Sequence, residues 1–307
     1  MKVYLDKRVL GEDNVKRLQK MFPDIQFVTG DSHIEDIDIG IIMPRFFQGK
    51  DASSFKRLKW IQFLMAGYDD FDFNDFNRKS IVFTNAQNIF STSIAEDVLT
   101  KILFFNRNVN HYLSSMDEGK WDPIREEHEI THSTIGILGS GSIGREIAKR
   151  LKPFDVHIIG YRRKNQSLPN FDEIVTGESG LQDLLKKSDY VIIALPLTTK
   201  THHLINERRI AIMKDDVLLI NVARGDIIEQ KALYEALVNH QIRGAGLDVT
   251  SPEPLPKDHP LWSLDNVFIT PHNASSSPYM KKRLTKLVMD NLYRYLNDQP
   301  LLYRIER

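Results

Sequence analysis

Short apolar runs alternate with amphipathic stretches along the first hundred residues. The apolar runs have the length and β-branched content of strands, and the stretches between them carry apolar residues at helical spacing. Strands are predicted at residues 2–5, 25–29, 38–43, 60–64 and 81–84, and helices at 14–22 and 53–58. Strands that alternate with helices in this way favour a parallel sheet with crossover helices.

A second alternating series begins with a long helix near Ser93. Ile94, Val98 and Ile102 recur there at helical spacing, and Ser93 with Glu96 fits a capping box. A polar stretch follows at residues 108–132, and no helix or strand is predicted in it. Beyond it the pattern predicts strands at 134–138, 156–161, 190–195, 217–223, 244–249 and 266–270, and helices at 143–152, 181–187, 207–213, 230–239 and 280–296.

The two series predict an α/β chain with two Rossmann-like or flavodoxin-like parallel-sheet domains. A chain of 307 residues exceeds one ordinary core, which agrees with two domains. We expect the last helix to return to the first series. Residues 1–96 and 278–307 would then form a discontinuous substrate-binding domain, residues 97–277 a nucleotide-binding domain, and the active site would occupy the cleft between them.

Composition narrows the possible partners. Lys plus Arg and Asp plus Glu balance at 41 each, so net charge favours neither nucleic acid nor an anionic membrane. The absence of cysteine excludes disulfides, thiolate metal sites and cysteine nucleophiles. No apolar run of about 18 residues is present, so we expect a cytoplasmic protein without a membrane partner. The pair His202–His203 shows no partner at metal-ligand spacing, and no metal site is predicted.

A glycine-rich turn provides the first sign of function. Gly139, Gly141 and Gly144 form G-x-G-x-x-G between an apolar strand and a helix that starts near Ser142 and Ile143. The first glycine permits the tight turn, the second lets the backbone approach a pyrophosphate, and the third allows the helix to pack closely on the strand. The helix N-terminus attracts the anion. These features predict a dinucleotide site.

The strand after this helix ends in Arg162 and Arg163. NAD sites commonly place a carboxylate there for the ribose 2′-hydroxyl, and that carboxylate would repel a 2′-phosphate. An arginine can instead pair with the phosphate through charge-assisted hydrogen bonds. The sequence therefore predicts NADP(H) in preference to NAD(H), although a solvated basic loop or an arginine stacked on adenine would give the same residues.

Three ionisable residues each follow an apolar run in the last third of the chain: Arg224, Glu253 and His272. A guanidinium can hold a carboxylate by two parallel hydrogen bonds. A carboxylate beside the imidazole would favour imidazolium, which can donate a proton to a carbonyl oxygen. Each residue alone has an ordinary interpretation, as a surface ion pair, a solvated turn or a structural histidine. Together, at neighbouring strand ends, they indicate an oxidoreductase acting on a carboxylate-bearing substrate.

The motifs as a set resemble the D-isomer-specific 2-hydroxyacid dehydrogenase family. Besides GSGSIG, the chain contains ALPLTTKTHHLIN, LLINVARGDIIEQKALYEAL, GAGLDVTSPEPLPKDHPLW and NVFITPHNA in family order. The match is dense over residues 88–277 and sparse before residue 60. The segment LDVTSPEPLP resembles the glyoxylate/hydroxypyruvate reductase branch, and a basic residue at the position of Arg162 also fits that branch.

The resemblance implies a role for each matching position. Arg224 would bind the substrate carboxylate, His272 would act as the acid in reduction, and Glu253 would hold and tune His272. The family pattern also implies that Asp248 contacts the nicotinamide carboxamide. The cofactor cleft would be lined by Leu195, Pro196 and Ala223. The backbone N–H groups of Ala66 and Gly67 would bind the substrate carboxylate. The resemblance also implies a homodimer formed through residues 101–121.

The resemblance leaves other functions open. D-lactate, phenylpyruvate and phosphoglycerate dehydrogenases share these motifs, whereas formate dehydrogenases typically carry an amide where this chain has Glu253. Related transcriptional corepressors retain the same three residues, so a dinucleotide-sensing binding module without turnover is the alternative outside enzymes. The aromatic residues Tyr68 and Phe71 leave the preferred substrate side chain undetermined.

Overall fold

A computed structural model describes residues 1–30, 34–50, 52–69, 71–76 and 80–306. The chain forms two compact units, one comprising Met1–Phe90 with Ser277–Arg307 and the other Ser91–Ser276. Each unit is built around a parallel sheet, so the predicted two-domain α/β class is confirmed. The division lies at Phe90 rather than at residue 96, because the long helix that begins at Ser91 belongs entirely to the second unit.

The first unit contains a five-stranded parallel sheet in the order β2-β1-β3-β4-β5. Its strands are β1 (Lys2–Leu5), β2 (Gln26–Val28), β3 (Ile39–Ile42), β4 (Trp60–Phe63) and β5 (Val82–Thr84). This is the flavodoxin-like order. Strands β3 and β4 are buried along their whole length, as expected for strands covered on both faces. All five predicted strands are present, and four of them are shorter than predicted.

The second unit contains a seven-stranded parallel sheet in the order β12-β11-β10-β9-β6-β7-β8. Its strands are β6 (Thr134–Leu138), β7 (His157–Tyr161), β8 (Glu173–Val175), β9 (Tyr190–Ile193), β10 (Leu218–Asn221), β11 (Gly244–Leu247) and β12 (Val267–Ile269). Leu138 pairs with Tyr161 on one side and Ile193 on the other, so these strands end at one edge. Strand β8 was not predicted, because its three half-buried residues give too short an apolar pattern.

Helices connect the strands in both units. They are α1 (Lys7–Leu10), α2 (Glu12–Met21), α3 (Ser91–Asn106), α4 (Val109–Asp117), α5 (Ser142–Leu151), α6 (Gly177–Lys187), α7 (Glu207–Ile210), α8 (Gln230–Val238) and α9 (Met280–Leu296). The last helix packs against α1 and α2 in the first unit. Its residues Leu284, Val288 and Leu292 are fully buried in that core. None of the helices in the described ranges is long and apolar enough to span a membrane.

Two local predictions are wrong, and one helix was not predicted. Residues 53–58 do not form a helix. A single turn covers Ala52–Ser54, and the apolar Phe55 and Leu58 instead fill the core of the first unit. Helix α4, in the polar stretch, was not predicted, because its only buried residue is Ser115 and it therefore has no apolar stripe. Helix α3 starts at Ser91, so Ser93 lies within it and cannot be its capping residue.

Candidate active site

In the glycine turn after β6, two of the glycines have no room for a side chain, and the third is open. Gly139 has a φ of 105°, and a Cβ there would lie 2.6 Å from the Ala194 carbonyl oxygen. A Cβ on Gly144 would lie 2.1 Å from the Gly139 carbonyl oxygen. Neither position can accept a side chain. A Cβ on Gly141 would meet no atom within 4 Å, so the backbone there is accessible to a ligand.

The same turn presents unsatisfied polar groups. Helix α5 begins at Ser142, and its N-cap residue Gly141 offers no side-chain cap to the first N–H groups, which include that of Ile143. Within the described residues, the buried Ser140 hydroxyl has no hydrogen-bond partner. Free N–H groups at a helix N-terminus, together with an unpaired hydroxyl, suit a phosphate group. The residues present therefore fit a dinucleotide.

Two arginines follow the strand beside the glycine turn. The Gly139 N–H donates to the Tyr161 carbonyl at 3.1 Å, which ties the turn to the end of β7. Arg162 comes next and is half-buried, and Arg163 is exposed. Arg162 lies 3.5 Å from the Gln166 amide oxygen, and no described acidic side chain forms an ion pair with either arginine. Both guanidinium groups are available at the position that distinguishes the two nicotinamide cofactors.

Residues after β9 and β10 border the same sheet edge. The Ala194 N–H donates to the Leu138 carbonyl at 2.8 Å, which holds Leu195 and Pro196 beside the glycine turn. Leu195 is half-buried and Pro196 is exposed. Ala223, after β10, is buried. All three predicted cleft residues thus lie at the carboxyl ends of strands, where α/β sheets bind ligands.

The loop that carries Arg224 is shaped by a buried asparagine. Asn221 accepts the Ala223 N–H at 3.0 Å and donates to the Arg224 carbonyl at 2.9 Å. The Arg224 guanidinium donates to the Ala223 carbonyl at 2.7 Å. Sequence reasoning did not assign a role to Asn221. The sequence signal for Asn221 was a polar residue at the end of an otherwise apolar strand, where a side chain can form hydrogen bonds with the following loop.

The Arg224 loop is in backbone contact with the turn that holds Glu253. A Cβ on Gly225 would lie 2.0 Å from the Thr250 carbonyl oxygen, so only glycine permits this approach. The Ser251 hydroxyl also donates to the Asp226 carboxylate. The two predicted catalytic loops are therefore in direct contact, although they are separated along the chain.

Glu253 and His272 form a direct hydrogen bond. His272 Nδ1 lies 2.8 Å from Glu253 Oε2, and the other oxygen, Oε1, accepts the Thr250 N–H at 3.1 Å. Side-chain exposure is 49% for His272 and 38% for Glu253, so both remain open to solvent. The carboxylate fixes the orientation of the ring and leaves Nε2 available for proton exchange.

The backbone of His272 is held by the buried Asp248. The His272 N–H donates to the Asp248 carbonyl at 2.8 Å. The Asp248 carboxylate accepts the Thr270 hydroxyl at 2.7 Å and the Asn273 N–H at 3.0 Å. Because these bonds span both sides of His272, Asp248 sets the conformation of the segment that presents the imidazole.

A buried ion pair that the sequence reasoning missed supports this network. Lys101, on α3, is fully buried and lies 2.5 Å from Asp97, and its ammonium group donates to the Thr270 hydroxyl at 2.9 Å. Burial raises the pKa of Asp97, Lys101 opposes that shift, and the nearby Asp248 charge adds to it. The available signal was a lysine on the apolar face of a helix, three residues after Val98.

Two predicted substrate contacts lie in the first unit. Ala66 and Gly67 follow β4 and are half-buried. The Ala66 carbonyl accepts the Asn85 side-chain amide at 2.8 Å, which fixes the loop. Phe71 is buried in an aromatic cluster with Phe63 and therefore serves the core of this unit.

His202 and His203 have no partner at metal-ligand spacing along the sequence, but the fold brings an aspartate to them. Asp226 lies beside them, and ligand atoms from all three residues lie within 4.8 Å of one another. The carboxylate was missed because it is distant in sequence and is brought near by a parallel bridge between Ile205 and Ile228.

Comparison with known proteins is consistent with this geometry. Residues 99–274, more than half of the chain, match the NAD binding domain of D-isomer specific 2-hydroxyacid dehydrogenases. A D-3-phosphoglycerate dehydrogenase of Methanocaldococcus jannaschii is 33% identical over 94% of this chain, which spans only 56% of that protein. A glyoxylate reductase of Thermococcus gammatolerans is 33% identical over 87% of this chain and 82% of its own length.

Among solved structures, a D-isomer specific 2-hydroxyacid dehydrogenase from Xanthobacter autotrophicus, in complex with NADPH and MES, is 27% identical. It superposes with a TM-score of 0.85 over 99% of this chain and 97% of its own. The doubly wound sheet, with an open glycine turn and a carboxylate–imidazole pair along its carboxyl edge, is that of a nicotinamide-dependent oxidoreductase. The chain belongs to the D-isomer-specific 2-hydroxyacid dehydrogenase family.

Proposed function

We propose that this chain reduces small 2-oxo acids of the glyoxylate and hydroxypyruvate type to D-2-hydroxy acids, with NADPH as the preferred cofactor. The proposal depends chiefly on the Glu253–His272 hydrogen bond at the sheet edge that also carries the glycine turn. The names of several relatives, including the glyoxylate reductase of Thermococcus gammatolerans, support the substrate class.

The cofactor would be held by groups at the carboxyl edge of the seven-stranded sheet. The turn formed by Gly139, Gly141 and Gly144, with the first N–H groups of α5, would bind the pyrophosphate. Arg162 and Arg163 would bind the 2′-phosphate, which supports NADPH over NADH. The remaining contacts would come from Leu195, Pro196 and Ala223 beside the cofactor, and from Asp248 at the carboxamide.

His272 completes the reaction by supplying a proton. A nicotinamide held at this sheet edge would supply the hydride for the carbonyl carbon. His272 Nε2 gives its proton to the carbonyl oxygen, so the product is a hydroxyl group and the histidine is left neutral. Glu253 stabilises the protonated ring before transfer and keeps Nε2 directed away from itself. In the oxidation direction the same nitrogen accepts the proton.

Arg224 binds the substrate carboxylate in this proposal. Its planar guanidinium can form two parallel hydrogen bonds with the carboxylate and thereby orient the keto group. Asn221 and the contact at Gly225 keep the loop in place. The backbone N–H groups of Ala66 and Gly67 are proposed as further carboxylate donors.

Replacing Arg224 by lysine should mainly raise the KM for the 2-oxo acid. Lysine keeps the charge but loses the fork that makes two bonds at once. Steady-state kinetics at saturating NADPH would give kcat and KM separately. A KM equal to that of the unaltered protein would show that Arg224 does not bind the carboxylate. The matched control is Arg209→Lys, because Arg209 pairs with Glu178 away from these loops.

A substrate panel tests the proposed function as a whole. Glyoxylate, hydroxypyruvate, pyruvate, phenylpyruvate and phosphohydroxypyruvate would each be offered with NADH and with NADPH, and oxidation of the cofactor followed by absorbance. We expect the highest kcat/KM for the first two acids and a higher value with NADPH. Equal kcat/KM values with the two cofactors, or a higher value with NADH, would show that Arg162 does not select NADPH. Tight cofactor binding without turnover of any acid would indicate a dinucleotide sensor instead.

The exposed apolar residues of α3 and α4 support a homodimer. Leu103, Leu113 and Met116 are exposed, and Trp121 just beyond α4 is 98% exposed. Large apolar side chains grouped at a surface commonly mark a protein interface. We propose that a second copy of this chain covers residues 101–121.

A further inference from the structure

Two adjacent histidines and an aspartate lie together in the second unit. One ring nitrogen from each of His202 and His203 and one carboxylate oxygen of Asp226 lie within 4.8 Å of one another. The imidazole rings are nearly parallel, with centroids 3.9 Å apart. The His203 N–H also donates to the Asp226 carbonyl at 2.8 Å, so the backbone itself holds the two segments together.

The three side chains offer the donor set that divalent transition metals prefer. Zn²⁺, Ni²⁺ and Cu²⁺ bind imidazole nitrogen readily, whereas Mg²⁺ and Ca²⁺ prefer oxygen ligands. Ligands bound to zinc at roughly 2.0–2.2 Å in a tetrahedron lie about 3.5 Å apart. Both histidines are exposed, so rotation of their side chains can close the remaining distance. Three protein ligands leave the fourth position for water.

The carboxylate of Asp226 is already oriented by a neighbouring residue. The Ser251 hydroxyl donates to Asp226 Oδ1. Ser251 is itself fixed by Gln230, whose side chain accepts the Ser251 N–H at 2.9 Å and donates to the Ser251 carbonyl at 2.6 Å. Hydrogen bonds of this kind, from outside the ligand set, orient metal ligands and strengthen metal binding.

We propose that His202, His203 and Asp226 form a binding site for a divalent transition-metal ion such as Zn²⁺. The ion would join the loop after β9 to the loop after β10, which also carries Arg224. None of its ligands belongs to the glycine turn or to the Glu253–His272 pair, so metal binding can be measured without the nicotinamide chemistry proposed above.

Calorimetric titration of the metal-free, tag-free full chain with ZnCl₂ tests the site. We expect one zinc ion per chain, and Mg²⁺ should not compete. His202→Ala should abolish the binding, and Ser251→Ala should weaken it by about 10–100-fold, as expected when a group that orients a metal ligand is lost. His240→Ala, at another exposed histidine, should bind as the unaltered chain does.

The exposed position of His202 makes its variant informative, because the fold should tolerate the change. Circular dichroism would verify that His202→Ala unfolds at the same temperature as the unaltered chain without metal. Zinc binding of equal strength in that variant, or no binding by the unaltered chain, would overturn the proposal. Neither result depends on turnover, so the test remains valid whatever the substrate panel shows.

Discussion

Replacing His272 by alanine should lower kcat by about 10²–10⁴-fold, the usual contribution of a positioned general acid. The imidazole is proposed to be the proton donor to the carbonyl oxygen, and alanine leaves only water in that role. NADPH should still bind, because the glycine turn and Arg162 lie elsewhere on the sheet edge. Steady-state assays would measure kcat, and the fluorescence of the cofactor would measure its binding, so the two effects are obtained separately.

Two further variants test whether the loss of kcat is specific to the imidazole of His272. Glu253→Gln keeps the size of the side chain but removes the charge that stabilises the protonated ring, so kcat should fall less than in His272→Ala. His240→Ala removes another, exposed histidine of the same unit and should leave kcat near normal. Near-normal turnover in His272→Ala would show that the proton comes from another group.

Replacing Lys101 by methionine should lower the free energy of unfolding by about 3–5 kcal/mol, the cost of leaving one member of a buried ion pair uncompensated. The lysine is fully buried, and methionine of similar length leaves Asp97 without its cation. Urea denaturation would measure the loss. The double variant Asp97→Leu with Lys101→Met removes both charges and should recover most of the stability, because two apolar groups can replace a buried pair.

The loss in Lys101→Met should also depend on pH. Burial and Asp248 raise the pKa of Asp97, and the opposing effect of Lys101 is absent in the variant. An acid whose pKa is higher in the folded state adds stability below its unfolded pKa, and that stability is lost as pH rises through the folded value. The deficit should therefore be smaller at about pH 5 than at about pH 8.

A solvent-exposed ion pair provides the control for both measurements. Lys286 and Asp290, on α9, are 2.8 Å apart and keep 74% and 40% of their side-chain surface exposed. Lys286→Met should cost less than about 1 kcal/mol, because water screens such pairs. A loss in Lys101→Met no greater than this would mean that the buried pair does not stabilise the fold.

Much of the second unit could be predicted because its signals are local. Apolar runs gave the strands β6, β9 and β10, and the glycine spacing located the turn that only residues without a Cβ can form. Arg224, Glu253 and His272 each follow a strand, and parallel strands place their carboxyl ends at one edge. The direct bond between Glu253 and His272 is consistent with that reasoning.

The parts that could not be predicted depend on contacts between distant segments. Asp226 reaches His203 only through a pairing of backbone segments, and Lys101 reaches Thr270 only when α3 packs on the sheet. Helix α4 has no apolar stripe to reveal it. Patterns along the chain report which face of an element is buried, but not which polar group on another element will meet it.

The position of α9 affects the order in which the two units can be completed during synthesis. The second unit is continuous in sequence, so all of its core residues are synthesised before α9. The first unit lacks Leu284, Val288 and Leu292 until α9 emerges. Residues 1–90 are therefore synthesised before the second unit but acquire their complete interior after it.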